Sequence, residues 1–159
     1  MATERCVLST PIGRVAMEAL DRAIVRVDLR AEGEEPRDPE GPLLRRAETQ
    51  LREYLAGQRR QFDLPLKRPA GASAFQHRVW DAMLAIPFGE TRTYGELATE
   101  LGTSPRAVGG ACGRNPLPIL VPCHRVVAKN GLGGYSGDWE TGMAVDFKEV
   151  LLTLEQSDP

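Results

Sequence analysis

Val25, Val27 and Leu29 alternate with Arg26, Asp28 and Arg30, the two-residue period of a strand that faces the core on one side. Three strands are predicted between Cys6 and Leu29, with "TPIG" and "LDR" as turns around a middle strand from Arg14 to Ala19. The acidic, proline-containing stretch up to Gly41 is a predicted loop. From Pro42 the period changes: Leu44, Ala47, Leu51, Tyr54 and Leu55 share one helical face, and Gly57 is placed to end it. "LKRPAGAS", residues 66–73, has linker composition. A second helix is predicted from about Ala74, with Phe75, Val79, Ala82, Met83 and Ile86 on one side. "TYGE" is a capping box of Thr93 and Glu96, opening a helix with Tyr94, Leu97, Ala98 and Leu101 on one stripe. After "GTS", Ser104 can cap another short helix with Pro105 at its first position. Two short helices about a glycine-containing turn form the helix-turn-helix pattern. "LPILVPCHRVV", Leu117 to Val127, has the apolar density of a buried strand, interrupted by Pro118 and Pro122. A final helix carries Phe147, Val150, Leu151 and Leu154 on one face and ends at Glu155.

Composition narrows the class. The chain has 159 residues, 42% hydrophobic and 26% charged, enough for one ordinary domain or two small ones. No apolar run approaches the ~20 residues a membrane helix needs. The start, "MATERCVLSTPIG", lacks the basic and apolar regions of a secretion signal, so a cytoplasmic location is expected. Net charge is −2, which does not advertise a nucleic-acid binder. The charge is uneven, however. Gly33 to Glu40 holds four acids and one arginine, whereas Thr91 to Arg125 holds Arg92, Arg106, Arg114 and Arg125 against Glu96 and Glu100. Phosphate binding depends on the local face, but both segments taken alone fit a solvated surface.

Three scattered cysteines, Cys6, Cys112 and Cys123, argue against a disulfide framework. No C-x-x-C or H-x-x-x-H spacing exists and the only histidines are His77 and His124, so no metal site is expected. Cys6 and Cys112 fit small buried hydrophobes. Cys123 differs because its neighbour is a base. Burial alone suppresses the nucleophilic thiolate, and a histidine within reach reverses that. A carboxylate on the other imidazole nitrogen would complete a relay, and Glu155 is a candidate. Thiol hydrolases, redox proteins and inert cores can all contain such a pair. The helix after Ser104, "RAVGGACG", is small and smooth. A helix that reads bases in the major groove carries Arg, Asn or Gln. Here only Arg106 and Arg114 are long, and the small residues equally suit tight helix packing.

"PCHRV", Pro122 to Val126, resembles the active-site signature of the O6-alkylguanine-DNA alkyltransferases, the methylated-DNA–protein-cysteine methyltransferases. The likeness extends through "IPFGETRTYGELA", "RAVGGACGRNPLPILVPCHRVV", "GGYSG" and "KEVLLTLE", covering Phe75 to Glu155. The amino-terminal half resembles the family only in its pattern of three strands and a helix. The resemblance implies an α+β fold: a small antiparallel sheet-plus-helix domain with its linker, residues 1–72, then a mostly helical, winged-helix-like domain, residues 73–159, holding the helix-turn-helix and the alkyl acceptor.

The implied function is single-turnover repair, moving an alkyl group from O6 of guanine, with O4 of thymine a second candidate position, to Cys123. The base is flipped out of duplex DNA through minor-groove binding. His124 resembles the base that ionises Cys123 through water, Glu155 the carboxylate orienting it, Asn115 the hinge tying the recognition helix to the active-site strand, and Tyr94 the phenol that helps guanine leave. The carbonyls around Cys123 and Val126, the N–H of Ser136, and Gly134, Tyr135 and Pro118 are the implied substrate contacts. Arg106 resembles the finger that fills the emptied stack, with Ala107 and Gly110 at the DNA. Double-stranded DNA carrying O6-alkylguanine is the expected partner of a monomer, with cooperation along DNA left open; no membrane, metal or organic cofactor is expected. Two departures from the family pattern stand out: "DWETGMAVDF", residues 138–147, with Trp139 beside the expected pocket, and Arg114 directly before Asn115. Two alternatives remain at this point, a non-catalytic lesion-sensing DNA-binding protein of the alkyltransferase-like type and a Cys-His hydrolase.

Overall fold

The computed structural model describes residues 3–129 and 145–156. Strands β1 (Glu4–Thr10), β2 (Gly13–Leu20) and β3 (Ala23–Asp28) form an antiparallel meander. Asp21 and Arg22 make the second turn with φ of 52° and 64°, the left-handed pair that a two-residue hairpin loop demands. One face of the sheet carries Cys6, Leu8, Val15, Met17 and Ala19 into the core, against Leu44, Ala47, Leu51 and Tyr54 of helix α1 (Pro42–Leu55). The strict alternation expected in β3 is broken. A register shift at Glu18/Ala19 leaves Val25 without a strand partner, so Ile24 is buried with Val27 and Leu29 while Val25 is half-buried.

The acidic stretch is not simply solvated. It crosses the other face of the sheet, where Ala31 packs with Val7 and Ala16, and reaches the outer edge of β1, where Val7 exchanges two backbone hydrogen bonds with Arg37. Arg5 pairs on that face with Glu18 and Glu34. Segment 65–67 lies along β3: Ile24 donates to the Pro65 carbonyl at 2.8 Å and Lys67 donates back at 2.9 Å. Val27 donates to the Pro116 carbonyl at 2.9 Å. The free edge of β3 is therefore covered, and a single apolar cluster runs from Cys6 to Leu151 through both halves.

Helix α2 (Ala74–Leu84) opens with a Ser73/Gln76 capping box, and it buries Val79, Trp80 and Met83. Strand β4 (Arg92–Thr93) leads into α3 (Tyr94–Leu101), whose Thr93/Glu96 capping box forms as expected. Gly102, at φ 70°, ends α3 in the left-handed conformation, and Ser104 caps α4 (Pro105–Gly113) by accepting from the Ala107 N–H. The Trp80 indole donates to the Ala111 carbonyl at 3.0 Å, fixing α4 on α2.

The apolar run before the cysteine is not a strand. Leu117 to Val121 is a buried turn, closed by a bond from the Val121 N–H to the Leu117 carbonyl at 2.8 Å. Pro116, Pro118 and Pro122 supply no N–H for a ladder, and Ile119 is held at φ 73°, a conformation a β-branched residue adopts only when its surroundings impose it. Cys123–Arg125 is one turn of 3-10 helix, and only Val126–Val127 (β5) is extended, pairing parallel to β4. Helix α5 (Val145–Gln156) closes the fold. Its inward face holds more than expected: Leu151 is buried and Phe147 and Leu154 pack on the core as predicted, but Lys148, Leu152 and Glu155 are buried with them, while Val150 is 48% exposed.

Candidate active site

Burial places Cys123 beyond solvent at 0% exposure. Loss of hydration pushes its thiol up to about 11, opposed by a hydrogen bond from Asn115 and the charge of Lys148. Asn115 follows α4 directly and spans the turn. Its amide donates to the Val121 carbonyl at 2.8 Å, and its side-chain oxygen accepts from the Leu117 N–H at 3.0 Å. The end of α4 is thereby pinned to the segment that carries the cysteine, the link expected of Asn115, although to a turn and not to a strand.

His124 is also fully buried, and Nε2 stands 2.6 Å from Glu155 Oε2. The same oxygen accepts from the Tyr54 hydroxyl at 2.6 Å and from Arg125 at 3.1 Å. Its companion Oε1 accepts from Arg125 Nε at 2.9 Å and the Gly89 N–H at 3.2 Å. Burial by itself pushes the Glu155 carboxyl up, but the hydrogen bonds of His124, Arg125 and Tyr54 outweigh it and hold it at about 2. An ionised Glu155 fixes the imidazole tautomer with its proton on Nε2. Nδ1 is then the basic nitrogen, and it has no hydrogen-bond partner among the described residues. Burial holds the imidazole below its ordinary range despite the pull of Glu155, so it is neutral at physiological pH.

Arg125 corrects the charge reading. It is 8% exposed and committed to Glu155 and the Ile86 carbonyl, so it adds nothing to a cationic surface. Tyr94 is buried, and its hydroxyl accepts from Lys148 Nζ at 2.8 Å. Lys148 also donates to the Val126 carbonyl at 2.7 Å, so that expected substrate acceptor already serves one donor within the protein. Burial pulls the Lys148 ammonium down to about 8. Pro118 lies buried in the turn. Cys112 packs against Met83, sulfur to sulfur at 3.5 Å, and burial pushes its thiol up, as befits a core residue.

Helix α4 buries Val108, Gly109, Ala111 and Cys112 and turns Arg106 and Gly110 outward, with Ala107 half-exposed and Arg114 exposed just after the helix. A methyl group built on Gly110 meets nothing within 4 Å. Its small size is therefore not required by packing inside the protein. Gly134, Tyr135, Ser136 and Trp139 lie outside the described residues.

Three members of this site went unread in the sequence: Tyr54, Arg125 and Lys148. A signal existed for one of them. Lys148 and Glu155 stand seven residues apart, flanking Leu151 and Leu152, so two charges fall on one apolar helical face. Among the described residues no group of three or more His, Cys, Asp or Glu is arranged to hold a metal ion, and no helix is long and apolar enough to cross a membrane.

Residues 74–157 match the 6-O-methylguanine DNA methyltransferase DNA-binding domain, and residues 5–68 match the ribonuclease-like domain of the same description. The constitutive methylated-DNA–protein-cysteine methyltransferase of Bacillus subtilis is 39% identical over 158 residues, covering 92% of each chain. The methylated-DNA–protein-cysteine methyltransferase of Methanosarcina acetivorans is 48% identical over 118 residues, 72% of this chain and 70% of that one. The crystal structure of Mycobacterium tuberculosis OGT in complex with DNA superposes with a TM-score of 0.80 at 36% identity, covering 96% of this chain and 92% of that one.

Proposed function

The chain belongs to the 6-O-methylguanine DNA methyltransferase family, and on that premise we propose how its residues share the work of repair. The reaction is direct reversal: an alkyl group leaves methylated DNA for a cysteine of the protein, and DNA is the partner. The observation that carries the assignment is the adjacency of buried Cys123 to His124, whose Nε2 is held by Glu155 at 2.6 Å while Nδ1 is left as a base.

Nδ1 takes the thiol proton, directly or through one water, and Glu155 stabilises the resulting imidazolium. The thiolate attacks the alkyl carbon on O6 of guanine in line with the carbon–oxygen bond. A carbon–sulfur bond forms as the carbon–oxygen bond breaks, and the electron pair passes to the guanine. Tyr94 gives the departing base a proton, and the Lys148 ammonium beside its hydroxyl makes that phenol a better donor. The product is guanine and a thioether. Nothing in the network regenerates a thiol from a thioether, so each molecule acts once.

The target carbon is unreachable inside a stacked duplex, so the base is flipped, at a cost of about a few kcal/mol. This accounts for a nucleophile in apolar surroundings. The outward face of α4 approaches the minor groove, where sequence information is poor and a repair protein needs none. Arg106 occupies the space left by the extruded base, and Gly110 and Ala107 permit close approach. Substrate contacts by Gly134, Tyr135 and Ser136 rest on family resemblance alone. The acting unit is a monomer, residues 1–72 supporting a DNA-binding and acceptor part from 73 to 159.

The test is Cys123→Ala in the full chain. It abolishes transfer and leaves duplex binding nearly intact, because phosphate and groove contacts supply most of the affinity. Methyl transfer persisting in this variant, mapped to Cys112 or Cys6, overturns the acceptor assignment.

A further inference from the structure

We propose that Tyr54 is a positioning residue of the thiolate-forming network, so that the amino-terminal half takes a direct part in alkyl transfer. The inference rests on the assignment of Cys123, His124 and Glu155 given above. Tyr54 lies in the last turn of α1, on the face of Leu44, Ala47 and Leu51, and is fully buried. Its ring is clamped by Phe62, centroids 5.3 Å apart, and by Phe88, edge-on at 6.1 Å. Three aromatic rings thus aim one hydroxyl across the junction between the two halves.

That hydroxyl donates to Glu155 Oε2 at 2.6 Å and stands 3.5 Å from His124 Nε2. The oxygen that holds the imidazole is therefore the one Tyr54 holds. Arg125 donates to both carboxylate oxygens and the Gly89 N–H to Oε1, leaving Tyr54 as the carboxylate's contact with α1. Two consequences follow. Oε2 is fixed in the position that sets the imidazole orientation, and hence where Nδ1 points. The shared proton also draws electron density from Oε2, which limits how strongly Glu155 favours imidazolium. Among the described residues, the other charged or titratable groups around His124 are Arg125 and Cys123 in the same turn and Lys148 on α5, with Cys112 of α4 facing Lys148. Arg125 and Lys148 are cations that disfavour imidazolium, so the balance at His124 depends on a carboxylate of controlled basicity.

The test uses full-length Tyr54→Phe, which keeps the ring and loses the hydroxyl. Methyl transfer from O6-methylguanine duplex is followed across pH beside the unmodified protein. The variant transfers about tenfold more slowly, the worth of one hydrogen bond to a charged group expressed as a rate. With its donor gone, Oε2 is more basic and His124 keeps its proton to higher pH, so the acid limb of the profile moves upward. Leu44→Ala, on the same buried face of α1 but more than two turns from Tyr54, serves as the packing control: it lowers the melting temperature and leaves the profile in place. An unmoved rate and profile in folded Tyr54→Phe overturns the proposal, while the reading of Cys123 stands as long as the unmodified protein transfers to it. Proton NMR of the unmodified protein covers a variant that fails to fold. A slowly exchanging Tyr54 hydroxyl proton with a cross-peak to the His124 Nε2 proton is expected, and a rapidly exchanging hydroxyl contradicts the proposal.

Discussion

Lys148→Met separates the stability of this protein from its chemistry. Lys148 is 1% exposed, and its ammonium bonds to the Tyr94 hydroxyl and the Val126 carbonyl. Burial lowers its ionisation from the ordinary 10.5 to about 8. Between those values the unfolded chain binds more protons than the folded one, so the contribution of this group to stability rises with pH. It is fully present above about 10.5 and is lost as the pH falls through about 8. At about 1.36 kcal/mol per pH unit, the displacement is worth roughly 3 kcal/mol. Methionine fills a similar volume and carries no charge. Urea unfolding of both proteins at several values from about pH 7 to pH 10.5 measures the difference. The stability of the unmodified protein relative to Lys148→Met climbs by roughly 2–3 kcal/mol over that range. Cys6 and Cys123, each pushed up to about 11 by burial, act with the opposite sign, but they are common to both proteins and largely subtract out. Lys148→Met also transfers methyl groups more slowly, having lost the cation beside Tyr94 and near Cys123. A pH-independent stability difference, or unchanged transfer, refutes the reasoning.

Arg106→Ala slows repair of duplex DNA tens-fold or more, because the flipped state loses its filler, yet changes reaction with a free O6-alkylguanine base by less than about twofold; kinetics on the two substrates measure this, and equal losses would make Arg106 a structural residue. Gly110→Leu leaves the melting temperature unchanged or higher, since the site is open and glycine is a poor helix former, but weakens duplex binding about tenfold or more in a titration. Full methylation of Cys123, verified by mass, lowers stability by ~1–3 kcal/mol through overpacking at a site with no exposure, or roughly 2–4 °C of melting temperature per kcal/mol; a melting point equal to or above that of unmodified protein contradicts this.

Local chemistry made much of the fold legible. Pro42, Thr93 with Glu96, and Ser104 with Pro105 start helices where expected, because caps act within four residues of the chain. What depended on distant partners was not legible. The turn before Cys123 has a strand's composition, and only its prolines signal that no ladder can form. The bulge at Glu18/Ala19 shifts the phase of β3, which a strict alternation cannot anticipate. On α5 the sequence invites a face of Phe147, Val150, Leu151 and Leu154, of which only Val150 fails to pack on the core, and it leaves the charges outside, since charge is ordinarily turned to solvent. The fold instead turns in Lys148 and Glu155, because each finds partners there: Tyr94 and Val126 for one, and His124, Arg125 and Tyr54 for the other. Tyr54 reaches Glu155 across 101 positions, a contact no local pattern encodes. Cys123, His124 and Glu155 were legible through the family signature, and the structure brings the last two together at 2.6 Å.

The central claim is that Cys123 alone accepts the alkyl group, once per molecule. Its most direct measurement is the intact mass of the unmodified protein after incubation with excess duplex DNA carrying O6-methylguanine, followed by mapping of the modified peptide. The predicted result is a mass gain that saturates at a single methyl group per chain, located on Cys123, with an equal amount of guanine restored in the DNA. An unchanged mass alongside tight binding, continued demethylation beyond one equivalent, or a methyl group on any other residue would contradict it.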